Sequence, residues 1–111
     1  MVGPTYTAAQ AQRGEAVYQD RCSGCHGDQL DNGQFAPPLV GALFLQHWGG
    51  QGLDQPYSFM ITQMPPDAPG GLGLSAYADL MAFIMSKNGV AASAKEMPSD
   101  PAALKQMAVP K

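Results

Sequence analysis

Cys22-Ser23-Gly24-Cys25-His26 holds the only two cysteines of a 111-residue chain. The pentad reads C-x-x-C-H, the attachment signature of a c-type haem. The spacing has a chemical reason. Each thiol can add across one vinyl group of a haem, and two intervening residues let a short loop span both attachment points. The next residue then lies under the ring, where an imidazole nitrogen can bind the iron. Three other uses of the same residues stay open. A thioredoxin-like pair would work as a dithiol/disulfide switch, but that motif belongs in a βαβ pattern and none is visible. A structural zinc site needs about four ligands. Cys22, Cys25, His26 and His47 could supply them, although the gap from His26 to His47 is far from zinc-finger spacing. A plain disulfide leaves His26 without a purpose.

The length suits a single domain, residues 1–111, with room for only a small core. Thirteen glycines and ten prolines break the periodic segments apart, so a staple is needed, and a covalent haem would be one. A net charge of -3 argues against non-specific nucleic-acid binding, which needs a basic surface. The longest apolar run, Leu39 to Leu45, is far too short to span a membrane. The opening Met1-Val2-Gly3-Pro4 has neither a charged n-region nor an apolar h-region. An exported protein of this sequence is therefore expected to have lost its leader or to have been cut from a longer chain.

Thr7, with Gln10 three residues on, forms a capping box that opens a first helix. Ala11, Gly14, Val17, Tyr18 and Arg21 recur at helical steps and give it a small or apolar face. Gly14 costs about 1 kcal/mol against alanine inside a helix, which close approach of another helix would offset. The helix ends near Cys22 and so delivers the pentad. From Gly27 to Gln55 little periodicity is sustained, apart from a possible turn around residues 41–46. A structureless stretch of that length is unusual in a small domain unless it wraps a cofactor. Phe35, Leu39, Phe44 and Trp48 supply the bulk to cover a ring, and Pro37 stands beside them.

Asp54 is expected to cap a second helix, with Pro56 in its first turn. Tyr57, Met60, Ile61 and Met64 follow the i, i+3, i+4, i+7 pattern up to Pro65-Pro66. Tyr57 and Ile61 join the candidate haem contacts, although such a face can equally be ordinary core. Ser75 is expected to cap a third helix that buries Tyr77, Leu80, Met81, Phe83 and Ile84 and stops at Gly89. From Val90 the tail reads as loose. Asp100-Pro101 opens a short last helix through Met107. No strand is expected.

A haem iron has two axial positions, and the second decides between ligand binding and electron transfer. His26 takes the first. Met64 is the leading candidate for the second, because Pro65 and Pro66 stiffen the backbone that carries its thioether. Met60, on the same face, is its rival, and His47 is the weaker third candidate.

These residues together resemble the class I cytochromes c over about residues 8 to 89, with 90–111 as an extension. Gly14 and Tyr18 match the first helix of that family, Cys22 to His26 its attachment motif, and Met64-Pro65 its axial methionine. Leu80 and Phe83 match the last helix, which crosses the first at the glycine. Ala36-Pro37-Pro38-Leu39-Val40-Gly41 is similar to its proline loop, although Ala36 stands where glycine is common. The Gly89 exit runs into Val90-Ala91-Ala92 in place of an aromatic-proline exit. The resemblance implies an all-α fold of three main helices wrapped around one covalent haem c. It implies iron ligation by His26 and Met64, with the Pro37 carbonyl accepting the outer N–H of the histidine. A narrower likeness lies in Met64-Pro65-Pro66-Asp67-Ala68-Pro69-Gly70-Gly71-Leu72, Lys87-Asn88-Gly89 and Pro98-Ser99-Asp100-Pro101. These segments resemble bacterial cytochromes c that partner, or are fused to, quinoprotein (PQQ) dehydrogenases. The implied function is one-electron transfer without catalysis, by a periplasmic monomer placed between such a dehydrogenase and a downstream oxidase or carrier. The competing expectation is a haem sensor or haem enzyme in which Met64 is displaceable.

Overall fold

The computed structural model describes residues 2–111. Helix α1, Ala8–Arg21, starts where Thr7 Oγ1 accepts the Gln10 backbone N–H at 3.1 Å. That bond satisfies one of the donors a helix start leaves unpaired. The second half of the expected capping box does not form. The Gln10 side chain turns to the tail, where Nε2 donates to the Met97 carbonyl at 3.0 Å and Oε1 accepts the Met97 N–H at 2.6 Å. Gln10 is buried, so both Met97 groups depend on it. Gln10→Ala should cost about 1–3 kcal/mol for each group left unpaired, read as a fall in the urea midpoint. An unchanged midpoint would mean that the tail is not held there.

Helix α2, Ser23–His26, is a single turn that follows at once. Helix α3 spans Ala42–Trp48, and α4 spans Asp54–Gln63. Asp54 is the first residue of α4 rather than its cap, a position held by Leu53. A carboxylate there still favours the positive end of the helix dipole. Helix α5, Leu74–Lys87, begins after Gly73, so Ser75 lies inside it. Its residues from Tyr77 to Met85 are all buried, too many for one stripe. It is the central helix, covered on several sides.

The largest helix–helix contact joins α1 to α5. At the crossing, a Cβ built on Gly14 would lie 2.5 Å from the Asp79 carbonyl carbon and 2.9 Å from Phe83 Cβ. Only a residue without a side chain allows the two backbones this close. One turn on, the Tyr18 and Phe83 rings meet at 5.4 Å between centroids, within the range of favourable aromatic pairs. Arg13 bridges the outside of the crossing, with Nε 3.2 Å from Asp79 Oδ2 and Nη2 2.7 Å from Glu96 Oε1. The pair with Glu96 is exposed and adds little stability, whereas Asp79 is buried and depends on Arg13 as its charge partner.

The tail is not loose. Ser93 N–H donates to the Tyr6 carbonyl at 2.7 Å, and Met97, Leu104, Met107 and Val109 are buried. Helix α6, Pro101–Leu104, starts at Asp100, whose Oδ1 accepts the Ala102 N–H at 3.1 Å. It stops three residues before Met107, which forms a single bridge with Val2 instead. Beyond it, Val109 N–H donates to the Gln51 carbonyl and Leu53 N–H to the Met107 carbonyl, at 2.9 and 2.8 Å. The tail thus fastens the link between α3 and α4. Two single bridges are the only β pairing among the described residues, and the architecture is all-α. Among the described residues no helix is long and apolar enough to cross a membrane.

Candidate functional site

The helices leave a cavity of about 550 Å³, within the usual range of about 300–1,000 Å³ for cofactor pockets. Its walls come from helices α1 to α5 and from the segments 35–39 and 64–66. The end of α1 and the pentad supply Tyr18, Arg21, Cys22, Cys25 and His26. The segment from Phe35 to Leu39 and the α3 residues Leu43, Phe44, His47 and Trp48 supply a second wall. Helix α4 adds Pro56, Phe59 and Met60, followed by Met64 to Pro66, and α5 adds Leu80, Met81 and Ile84. Arg21 is the one Arg, Lys, Asp or Glu in this lining. A separate polar hollow of about 410 Å³ beside Glu15, Asp28 and Lys87 contains neither the pentad nor a methionine.

The pentad takes its shape from backbone hydrogen bonds. Cys22 closes α1 with its N–H on the Tyr18 carbonyl at 2.9 Å. The one-turn α2 brings the His26 N–H back to the Cys22 carbonyl at 3.1 Å. Gly27, at φ +87°, then turns the chain away, and the Tyr18 hydroxyl donates to its carbonyl at 2.5 Å. Burial pushes the Tyr18 phenol up to about 12, so it stays protonated and keeps donating.

Both thiols are free. Burial pushes the Cys22 thiol up to about 11, against the opposing pull of Arg21. A dithiol switch works through a thiolate with a depressed pKa, so Cys22 is poorly suited to one. The zinc alternative fares no better: among the described residues no three His, Cys, Asp or Glu side chains gather to hold a metal ion. His26 is buried, and its Nδ1 lies 2.9 Å from the Pro37 carbonyl oxygen. A carbonyl only accepts, so Nδ1 carries the proton and donates, which leaves Nε2 as the nitrogen available for a metal.

Met64 ends α4. Its N–H donates to the Met60 carbonyl at 2.9 Å, and its own carbonyl accepts the Tyr77 hydroxyl of α5 at 2.6 Å. Met60 and Met81 also line the cavity. Met81 was legible as part of the buried α5 face, but nothing in its spacing marks the cavity side. His47 is exposed and stands edge-on to Trp48, with centroids 4.4 Å apart.

Nine of the candidate haem contacts and ligands read from the sequence share this cavity, Cys22, Cys25, His26, Phe35, Pro37, Leu39, Phe44, Trp48 and Met64, together with the rival ligands Met60 and His47. Tyr57 and Ile61 do not line it. Tyr57 is fully buried on another side of α4, where its single hydroxyl proton is shared between the carbonyls of Ser99 at 2.9 Å and Leu74 at 3.1 Å. Ile61 packs against the apolar core. At about 100° per residue, Pro56, Phe59 and Met60 share one face, and Tyr57 and Ile61 the next.

A haem suits these walls. They are apolar, they carry two free thiols and an imidazole with one nitrogen already engaged, and they include thioethers. Residues 9–84 match the family model described as cytochrome C oxidase, cbb3-type, subunit III. The chain belongs to this cytochrome c family. Neither the curated proteins nor the solved structures yield a match. The matched span includes the pentad, the proline segment, Met64 and most of α5, and the tail lies beyond it. The cofactor of this cytochrome is a covalently bound c-type haem, and membership of the family supports haem-based electron transfer, the typical role of such a domain.

Proposed function

We propose that the cytochrome carries single electrons on a haem whose thioether bonds are made by Cys22 and Cys25 and whose iron is ligated by His26 and Met64. The observation that carries this reading is one apolar cavity lined by all four residues. Both ligands are supported from behind, His26 by the Pro37 carbonyl and Met64 by the Tyr77 hydroxyl. The haem supplies a one-electron ferrous/ferric couple. The chain holds the ligands in place through both oxidation states and keeps charge away from the ring, and a soft, neutral thioether favours the ferrous form. The haem should resist acid–acetone extraction, and the ferrous protein should not bind carbon monoxide. Rapid carbon monoxide binding by the native protein would instead favour a ligand sensor with a displaceable Met64.

The electron donor in this proposal is a periplasmic quinoprotein (PQQ) dehydrogenase. Its support is the likeness of the segments beginning at Met64, Lys87 and Pro98. The oxidase subunit named by the matched family supports an oxidase as downstream acceptor. Residues 1–111 are read as one domain, supported by the tail's hydrogen bonds to Tyr6, Gln10 and Gln51. Phe35, Leu43 and Phe59 are 79%, 63% and 50% exposed and line the cavity, forming an apolar rim beside which the one lining charge, Arg21, is paired with the exposed Asp67 carboxylate. Docking on such a rim draws little on long-range charge. Reduction by the dehydrogenase should therefore slow only weakly as salt is raised. A steep fall of the rate with ionic strength would contradict this surface.

A further inference from the structure

Asn88 ends α5, on the far side of the proline segment from His26 in sequence, and its side chain is fully engaged. Nδ2 donates to the Leu39 carbonyl at 3.0 Å and to the Ile84 carbonyl at 2.9 Å. Oδ1 accepts the Gly41 N–H at 3.1 Å. Two carbonyls and one N–H settle which end of the amide is which. The Ile84 bond is an ordinary helix-end contact. The other two bonds grip a different part of the chain, the backbone two and four residues after Pro37.

That grip matters because of what Pro37 does. Its carbonyl takes the Nδ1–H of His26. Pro37 and Pro38 have no N–H of their own with which to anchor this stretch. Pro37 is also exposed, so water can compete for the imidazole proton if the carbonyl drifts. The anchors lie just downstream: Leu39 N–H donates to the Leu30 carbonyl at 2.9 Å, and Asn88 holds Leu39 and Gly41 from α5. We propose that Asn88 is a positioning residue for His26, fixing through Leu39 and Gly41 the carbonyl that sets the tautomer and donor strength of the imidazole. This rests on His26 being the iron ligand.

The test uses the haem-loaded protein. In the wild-type ferrous form, the His26 ring protons should show the large upfield shifts of an imidazole bound under a haem. Their absence would remove the ligand assignment itself, before any variant is made. Asn88→Ala should then speed solvent exchange of the Nδ1–H at least tenfold and leave the mid-α5 amides, such as that of Leu80, unchanged. It should also raise the reduction potential, because an imidazole that donates a weaker hydrogen bond is a poorer donor to iron. Asn88→Asp keeps the acceptor for Gly41 and loses both donations. It should show the same faster Nδ1–H exchange, which is its readout because the added carboxylate charge itself lowers the potential, and it serves where the alanine variant fails to keep its haem. A variant with a lower melting temperature but wild-type Nδ1–H exchange and potential would overturn the proposal and leave Asn88 a helix cap only.

Discussion

Met64→Ala should abolish the red-end charge-transfer band of the ferric protein, lower its reduction potential and open the ferrous iron to carbon monoxide. Three thioethers line the cavity, those of Met60, Met64 and Met81, so presence there does not choose among them. Backbone placement does. Met60 lies inside α4 and Met81 inside α5, where helical rotamers lay a long side chain back along its own helix. Met64 has left the helix in an extended conformation, at φ -127° and ψ 143°. Its main chain is held on both sides, by the Met60 carbonyl and the Tyr77 hydroxyl, and Pro65 restricts the residue before it. A ligand held this way loses little further entropy on binding iron. Met60→Ala should keep the band and cost mainly stability, at or below about 2–5 kcal/mol because Met60 is only half-buried. The band surviving in Met64→Ala and vanishing in Met60→Ala would reverse the assignment.

Gly14→Val should cost at least the ~1–3 kcal/mol of an overpacked core, seen as a lower melting temperature of the haem-loaded protein. The direction follows from comparing two effects. Replacing glycine inside a helix gains roughly 0.5–1 kcal/mol of helix propensity for most residues. Against that gain, the new Cβ would overlap the Asp79 carbonyl group, with its carbon 2.5 Å away. The obstacle is backbone, so no rotamer change relieves it, and α1 must back away from α5 along their shared contact. Each kcal/mol lost lowers Tm by several degrees at this size. The Tyr18–Phe83 pair beside the crossing would be disturbed as well. Even Gly14→Ala should destabilise, since its Cβ meets the same carbonyl. A Gly14→Val protein that melts at the wild-type temperature with its haem retained would mean that the helices do not cross there.

What could be read from sequence alone was whatever local chemistry specifies. The pentad is a covalent device with fixed spacing. Asp100-Pro101 and Thr7 work within a single turn of their helices, and Gly14 in a helical pattern announces a close neighbour. The all-α fold follows from such signals, because a helix is built from near neighbours in the chain.

The tertiary structure decided everything that depends on which distant group arrives first. Gln10 has the composition of a capping box, yet a buried Met97 backbone 87 residues away offers its amide two partners, and that pairing prevails. Tyr57 and Ile61 share the period of Met60 and Met64, but α4 is apolar on two adjoining sides. Only the placement of Leu74 and Ser99 shows that Tyr57 belongs to the core. The tail reads as loose because its order lies in scattered hydrogen bonds to residues 2, 6, 10, 50, 51 and 53, which leave no periodic trace. Asn88 read as an ordinary helix end, and its hold on Leu39 and Gly41 crosses nearly fifty residues. Side-chain type and spacing specify helices and a cofactor's attachment. Which buried polar group outside the helical ladders finds which partner is settled only when the packed chain closes, since each must be paired and sequence distance does not fix which group is nearest in space.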